Sequence, residues 1–329
     1  MDLIPVNLIT GFLGVGKTTA VRHLLATHTP DEKWAVLVNE FGEIGVDGAL
    51  LAEQGAVVQE VAGGCLCCVA APAFTTGLNR VIRQHRPDRI LIEPSGLGHP
   101  AQVLDTLSGP LYAGTLEVRA TVCLMDARHL SSPRHREHQN FQDQIHLADV
   151  LVANKADLYT TDDFRAFENF AAQLIPAKDR IACVEHGVID TAWLDLGRSD
   201  GRQAAFPEAH AFLVESGAAS STVLGHNAGD WLLIEGGGDG YQRAGWIIRQ
   251  NSPLSARMLE SFIGGLSMER KKGLFLTDRG WLAVNQTDWS PITAPEDGRS
   301  RLELIDPNPL DAVTIDSKLK QLIGQMSPG

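Results

Sequence analysis

The sequence predicts an α/β protein with a mostly parallel sheet, followed by a smaller α+β domain. Over the first 196 residues, short β-branched runs alternate with helical segments, which is typical of βαβ units. After about Leu196 this rhythm ends in a stretch rich in Gly, Ala and Ser, and a different pattern of elements follows. We therefore predict domains at 1–196 and 241–329, with 197–240 as a linker and the start of the second domain.

The individual elements follow from this patterning. In the first domain the predicted strands are 6–10, 35–39, 57–61, 89–93, 118–126, 149–154 and 180–184. The predicted helices between them are 17–28, 74–85, 138–147 and 162–174. For the second part of the chain we predict strands near 231–234, 244–249, 273–277, 281–285 and 301–305, and helices near 254–264 and 310–325. In sheets of the first kind, active sites lie at the carboxyl ends of the strands.

Composition narrows the class of protein. The chain has 329 residues, 44% of them hydrophobic, and a formal net charge of −12, which disfavours nucleic-acid and anionic-membrane partners. The apolar start at 4–10 is too short for a signal peptide, and no run approaches the roughly 20 apolar residues of a membrane span. We therefore expect a cytoplasmic protein. Of five cysteines, three crowd into residues 65–68, which in a reducing compartment indicates metal or redox chemistry.

Residues 11–18, Gly-Phe-Leu-Gly-Val-Gly-Lys-Thr, match the phosphate-loop pattern G-x-x-x-x-G-K-[ST] between a predicted strand and a predicted helix. The alternative, a glycine turn before a chance Lys-Thr pair, leaves that strand and helix unexplained. The pattern predicts a P-loop NTPase in which Lys17 reaches the β- and γ-phosphates and Thr18 binds Mg²⁺. The predicted nucleotide contacts are Gly11, Gly14, Val15, Gly16, Lys17, Thr18 and Thr19.

Two further segments are predicted to sense the phosphates. Glu93 ends a hydrophobic strand, so its carboxylate is predicted to hold Mg²⁺ through water and to join Lys17 and Thr18 in catalysis. Gly96 allows a backbone N–H to approach the γ-phosphate. The segment 39–47 follows the second strand, where P-loop GTPases have their first switch, and Glu40 there is a candidate Mg²⁺ ligand.

The segment Asn154-Lys155-Ala156-Asp157 matches the guanine-recognition pattern N-K-x-D. The Asp157 carboxylate would accept hydrogen bonds from guanine N1–H and N2–H, and adenine would leave it unpaired. Asn154 is predicted to contact the purine edge and the Lys155 stem to pack on the ring. His186, in the loop after the next strand, is predicted to close over the base. These residues favour GTP.

Cys65, Cys67 and Cys68 place three thiols within four residues, directly after two glycines. Thiolates select soft or borderline ions such as Zn²⁺ and Cu⁺, and three local ligands leave a fourth position open or borrowed. The alternative is a turn of small buried residues. We expect His129, His135, His138 and His146 to be solvated rather than metal ligands, whereas His99 is a candidate fourth zinc ligand.

The phosphate loop, Asn39-Glu-Phe-Gly, Gly63-Gly-Cys-Leu-Cys-Cys68, Glu93-Pro-Ser-Gly and Asn154-Lys-Ala-Asp157 occur in the order found in the CobW-type metallochaperone GTPases, which the sequence resembles. The resemblance is dense in the first domain and thinner in the second. It implies slow GTP hydrolysis with Mg²⁺, zinc on the three cysteines, and zinc delivery to client apo-metalloproteins. Some members carry a histidine-rich stretch between the domains, where this chain has only His210 and His226.

Several interpretations stay open at this point. The metal is zinc by preference, but some members of the family are associated with cobalt or iron. A different class of protein, a P-loop regulator or kinase-like enzyme with a purely structural zinc, fits the same motifs, and so does a passive zinc buffer. The sequence does not indicate the oligomeric state.

Overall fold

The structure is a computed structural model that describes residues 3–29, 31–38, 57–60, 71–199, 201–205, 231–238, 240–250, 252–295 and 298–324. The described residues up to Ala205 form one compact unit, and those from Trp231 onward form another. The domain limits predicted at residues 196 and 240 stay predictions.

The first unit is built on a parallel sheet, as the alternating pattern predicts. Its strands are β1 (Ile4–Gly11), β2 (Trp34–Val38), β3 (Val57–Glu60), β4 (Arg89–Glu93), β5 (Leu116–Val118), β6 (Val122–Met125), β7 (Val150–Asn154) and β8 (Arg180–Val184). Among the described residues their order is β3-β2-β4-β1-β6-β7-β8, and β5 pairs beside the start of β1. Every pairing between these strands is parallel, so their carboxyl ends share one edge.

Helices flank this sheet. They are α1 (Lys17–Thr27), α2 (Ala71–His85), α3 (Pro100–Leu107), α4 (Pro133–Arg136), α5 (Gln139–Leu147) and α6 (Thr161–Ala172), with 3₁₀ turns at Ala127–Ser131, Ala156–Leu158 and Thr191–Asp195. Part of the core joins β1, β2 and β4 to α2 and α3, through residues such as Leu8, Leu37, Leu78, Ile92 and Leu104. All five of these side chains are at most 1% exposed.

The predicted strand 118–126 is wrong in one respect, because it is two strands, β5 and β6. The chain leaves the sheet between them: the N–H of Ala120 donates to the carbonyl of Leu196 at 2.9 Å, and Arg119 bridges to Gly197. The N–H of Arg119 still donates to the carbonyl of Val6 in β1 at 2.9 Å, so the regular strand ends where a distant segment binds the N–H of Ala120. Helix α3 is also absent from the sequence prediction, although Pro100 at its first turn is a typical start signal.

The second unit is an antiparallel sheet with two helices. Its strands are β9 (Trp231–Gly238), β10 (Tyr241–Ile248), β11 (Arg270–Thr277), β12 (Gly280–Asn285), β13 (Asp288–Pro291) and β14 (Ser300–Asp306), in the order β13-β12-β11-β14-β10-β9 among the described residues. Helices α7 (Ala256–Gly264) and α8 (Ala312–Gly324) share a buried core with strand residues such as Trp246, Phe275 and Leu304. This arrangement agrees with the predicted small α+β unit. In the described part of the chain, no helix is long and apolar enough to span a membrane.

Candidate functional site

The phosphate loop joins β1 to α1, and its glycines adopt backbone conformations that other residues rarely adopt. Gly11, Gly14 and Gly16 have φ angles of 142°, 70° and 96°. A Cβ on Gly11 would overlap the carbonyl oxygen of Leu124, and one on Gly16 would overlap the side-chain amide of Asn154. The loop therefore needs glycine at these two positions in order to fit against its neighbours at the N-terminus of α1.

Lys17 begins α1, and its side chain folds back along this loop. The ammonium group donates to the carbonyl oxygen of Phe12 at 3.1 Å, and the residue is only 8% exposed. The positive charge thus lies beside the loop whose N–H groups and helix dipole already favour an anion.

Thr18 and Glu93, the two predicted Mg²⁺ ligands that fall among the described residues, are in direct contact. The Thr18 hydroxyl donates to Glu93 Oε1 at 2.7 Å, and both residues are buried. The first turn of α1 supplies one oxygen and the end of β4 the other, and β4 is the neighbour in the sheet of β1, which leads into α1. Hard cations such as Mg²⁺ prefer oxygen ligands of this kind, so this pair fits the predicted ion.

The loop after β4 packs against the phosphate loop at Gly96. A Cβ on Gly96 would lie 2.8 Å from the backbone nitrogen of Leu13, too close for any side chain. Two side chains of α5 hold this loop: Asn140 donates to the carbonyl of Leu97 at 2.7 Å, and Gln144 to that of Gly96 at 2.9 Å. Neither side chain was predicted from the sequence, although two amides one helical turn apart, beside apolar neighbours, were a usable signal.

His99 ends the same loop, at the N-cap position of α3, and is 4% exposed. Its burial distinguishes it from a solvated turn histidine. The structure does not describe the cysteine loop, so the predicted role of His99 as a fourth zinc ligand stays a prediction.

Asn154, at the end of β7, links three loops of the site. Its amide nitrogen donates to the carbonyl of Val15 in the phosphate loop at 2.9 Å. Its amide oxygen accepts from the N–H of Gly187 at 2.9 Å. The residue is 2% exposed. Asn154 therefore holds the phosphate loop and the loop after β8 together, while its predicted contact with the purine edge stays a prediction.

The residues after Asn154 present a carboxylate to solvent. Lys155 adopts a left-handed conformation with φ of 68°, and Asp157 is exposed in the 3₁₀ turn that follows. Lys155 Nζ lies 3.6 Å from the buried carboxylate of Asp126. Burial by itself would raise the pKa of Asp126, but hydrogen bonds from Arg128 and the nearby charges of His129 and Lys155 lower it. Asp126 is therefore ionised at neutral pH and positions Lys155.

Tyr159 also supports this segment and was not predicted from the sequence. Its hydroxyl donates to the carbonyl of Asn154 and accepts from the N–H of Ala127 at 2.8 Å. Burial raises the pKa of Tyr159, so the phenol stays protonated. It thus ties the ends of β6 and β7 together.

The loop after β8 contains His186, which is exposed and has a φ of 51°, and Gly187 with a φ of 71°. A Cβ on Gly187 would lie 2.7 Å from the backbone nitrogen of Ala20 in α1. The loop therefore packs directly on the first turns of α1, beside the phosphate loop.

Three of the histidines expected to be solvated are instead half-buried around Phe12 of the phosphate loop. The rings of His129 and His135 stack at a centroid distance of 4.0 Å. Phe12 makes edge contacts with His135 at 5.5 Å and with His138 at 4.9 Å. His138 also caps α5 by accepting from the N–H of Asn140 at 3.2 Å. The expectation of a solvated helix was wrong. His135 on α4 and His138 just before α5 pack on Phe12, and His129 in the preceding 3₁₀ turn stacks on His135.

Glu40, Cys65, Cys67 and Cys68 lie outside the described residues, so the predicted zinc site and one predicted Mg²⁺ ligand are not part of this geometry. Among the residues that are described, no group of three or more His, Cys, Asp or Glu side chains is arranged to hold a metal ion. Two thiols are described: Cys183 is exposed, and Cys123 is buried in β6, which raises its pKa to about 12. A protonated core thiol is a poor metal ligand.

Comparison with known proteins is consistent with this geometry. The family CobW/HypB/UreG, nucleotide-binding domain, matches residues 5–182. The chain is 41% identical over 323 residues to the zinc chaperone YeiR of Escherichia coli (strain K12), covering 96% of this chain and 97% of that one. It is 30% identical over 229 residues to the zinc chaperone CobW of Sinorhizobium sp, covering 61% and 64% of the two chains. A crystal structure of the Zn(II)-bound YjiA GTPase from E. coli aligns with 98% of this chain and 99% of that one, at 21% identity and a TM-score of 0.44.

The matched family model covers more than half of the chain, and the similarity to YeiR extends over nearly all of it. The matched residues include the phosphate loop, the Thr18–Glu93 pair and the Asn154–Asp157 segment, which the structure describes as parts of one sheet edge. The chain therefore belongs to the CobW-type zinc chaperone family.

Proposed function

We propose that this protein is a GTP-hydrolysing metallochaperone that binds zinc at Cys65, Cys67 and Cys68 and transfers it to a client metalloprotein. The proposed binding and hydrolysis of GTP rest on one observation. Thr18 Oγ1 and Glu93 Oε1 are in buried contact at 2.7 Å, beside a phosphate loop that is rich in glycine. Zinc binding and delivery are supported by the relatives YeiR and CobW described above, both of which are named zinc chaperones.

Phosphate binding is the task of the loop and of Lys17. The loop N–H groups and the dipole of α1 stabilise the phosphate charge, and on binding Lys17 exchanges its bond to the Phe12 carbonyl for phosphate oxygens. Thr18 would hold Mg²⁺ directly, Glu93 through water, and Glu40 would complete the set. When bound, Mg²⁺ neutralises charge that develops on the phosphates. Gly96, already against Leu13, brings the next loop to the γ-phosphate.

Guanine selectivity is assigned to Asp157. Its exposed carboxylate is free to accept from guanine N1–H and N2–H, while the Lys155 stem, held by Asp126, packs on the ring. Adenine offers no such donors and would leave the carboxylate desolvated and unpaired. His186 closes the site over the base.

Zinc is the cargo in this proposal rather than a resident cofactor. Three thiolates bind it tightly but leave one position for an exchangeable ligand. His99 is the candidate for that position, because it is buried at the end of the loop that begins at Glu93 and contains Gly96. A change in that loop on hydrolysis would then add or remove one zinc ligand.

The experiment that tests the proposal measures zinc affinity in the two nucleotide states. A chelator competition at fixed pH is run with a non-hydrolysable GTP analogue and then with GDP. We expect the two affinities to differ at least fivefold, roughly 1 kcal/mol of coupling, with either sign. Equal affinities would favour the alternative, a P-loop regulator or kinase-like enzyme with a permanently bound structural zinc.

Cysteine variants identify the ion's position, and metal competition tests its identity. Replacing Cys65, Cys67 and Cys68 by Ser should remove the tight ion and leave GTP binding intact. Cys183→Ser, which removes an exposed thiol elsewhere, should keep it. Tighter nucleotide-dependent binding of Co²⁺ or Fe²⁺ than of Zn²⁺ in the same assay would support a cobalt or iron chaperone instead.

A further inference from the structure

Two adjoining cavities of the first unit share one arginine, Arg198, which belongs to none of the nucleotide motifs. The first, about 290 Å³, lies between α3, the end of α5 and the residues Arg198 and 202–204; its lining includes Ala101, Leu104, Asp105, Leu147, Arg198 and Ala204. The second, about 310 Å³, continues past the end of α3; its lining includes Leu3, Leu107, Leu116, Val118 and Arg198. We call the two together the Arg198 groove.

Arg198 is not paired with an anion in the part of the chain that the structure describes. Its Nε is buried and has no hydrogen-bond partner among the described residues. The neighbouring Arg202 is engaged by contrast, with Nε 2.7 Å from the buried carboxylate of Asp149. Nε is closed to solvent, but the residue as a whole is half-buried and lines both cavities. A carboxylate that reaches the rest of the guanidinium gains a charge-assisted bond that no described acidic side chain supplies. The groove therefore favours a ligand with a negative charge at Arg198.

The acidic side chains along the groove do not supply that charge. Glu117 is already paired with Arg119 at 2.8 Å. Asp105 is exposed, so water screens its repulsion of an incoming carboxylate. Three further polar residues, Ser108, Arg202 and Gln203, also line the cavities. The other lining residues are aliphatic and lie on both sides of Arg198. Each cavity is at the small end of ligand pockets, which run from about 300 to 1,000 Å³, so each suits a side chain or two rather than a cofactor.

We propose that the Arg198 groove binds a segment of a partner protein in which an Asp or Glu lies between two aliphatic side chains. The carboxylate pairs with Arg198, and the aliphatic side chains enter the two cavities. Charge-assisted bonds of Arg with carboxylate are short and strong, and they fix the register of the segment.

The helices that line the groove also hold the loop after β4. Helix α3 starts directly after that loop, and α5, whose Leu147 lines the groove, holds the loop through Asn140 and Gln144. An occupant of the groove therefore contacts both elements that position Gly96. The identification of this partner as the metal-receiving client rests on the proposed function. The proposal that the groove binds such a segment is independent of that function.

The test titrates the peptide acetyl-Leu-Glu-Leu-amide into the full-length protein with labelled Ala and Leu methyl groups and follows them by NMR. We expect saturable shifts at Ala101, Leu104 and Ala204, and affinity lower by about tenfold for acetyl-Leu-Gln-Leu-amide, which lacks the charge. Arg198→Gln should abolish this preference for Glu. Arg83→Gln, which removes an exposed positive charge on α2, should retain it.

Absence of saturable shifts, equal binding of the two peptides by the unmodified protein, or an unchanged preference in Arg198→Gln would each overturn the proposal. The titration needs neither GTP nor zinc. If the peptide binds but zinc affinity does not depend on the nucleotide, the proposed function is rejected and the groove proposal is supported. If zinc affinity depends on the nucleotide but the peptide does not bind, only the groove proposal is rejected.

Discussion

Asn154→Ala tests whether Asn154 holds the loops of the site together or contacts the base. The change removes two hydrogen bonds, from Asn154 Nδ2 to Val15 and from the Gly187 N–H to Asn154 Oδ1, both at 2.9 Å and both buried. A buried backbone group left without a partner costs about 1–3 kcal/mol. Water entering the space of the lost amide recovers part of this, so we expect the free energy of unfolding to fall by about 2–4 kcal/mol.

The Asn154→Ala variant should also bind nucleotides more weakly, and guanine and adenine nucleotides should be affected alike. The reason is that the change displaces Val15 in the phosphate loop and Gly187 in the loop after β8, and removes no guanine-specific group. Urea denaturation gives the free energy of unfolding, and fluorescent GDP and ADP give the two affinities.

Asn7→Ala is the matched control. Asn7 is equally buried in β1, and its amide donates to the carbonyls of Ala120 at 3.0 Å and Leu194 at 2.9 Å, away from the phosphate loop. Its amide oxygen also accepts from Arg89 at 2.7 Å. Asn7→Ala should therefore lose at least as much stability as Asn154→Ala and keep its affinity for GDP. If instead Asn154→Ala weakens nucleotide binding while its stability changes by less than about 0.5 kcal/mol, Asn154 contacts the purine, as the sequence predicts, and does not hold the loops together.

Three further predictions concern single side chains. Asp157→Asn should weaken GTP binding and reduce the preference for GTP over ATP, which in sites of this kind can reach about 10⁴-fold; equal GTP and ATP affinity in the unmodified protein would exclude guanine recognition. Basal GTP hydrolysis should run near 10⁻³ s⁻¹, roughly the rate of GTPases to which no partner supplies a catalytic arginine. Lys17→Ala should nearly abolish phosphate release. A basal rate of tens per second would mean that a catalytic group is missing from our assignment. Burial, with the charge of Arg202, lowers the pKa of Lys178 to about 8. The unfolded chain then binds more protons than the folded one between about pH 8 and 10.5, so this group makes stability rise with pH through that window; Lys178→Met should remove that rise in urea denaturation, and an unchanged pH profile would contradict it.

The sequence alone determined the framework of the nucleotide site. The phosphate loop, Glu93 and the segment Asn154–Asp157 are recognisable because each is a short pattern in which the spacing itself carries the chemistry. Strand–helix alternation then ordered them along one sheet edge. The predicted strands 89–93 and 180–184 coincide with β4 and β8, since continuous β-branched and aliphatic runs are local signals.

How these pieces are held depends on contacts between residues that lie far apart in the chain. Asn154 reaches Val15, 139 residues earlier in the chain, and Gln144 reaches Gly96, 48 residues earlier. The break between β5 and β6 has the same origin, because the Ala120 N–H bonds to Leu196, a residue far away in the sequence. Periodicity reports which residues are apolar and on which face they lie, but it carries no information about which distant carbonyl a buried amide will meet. That choice is made when the chain packs, because every buried polar group must find a partner there.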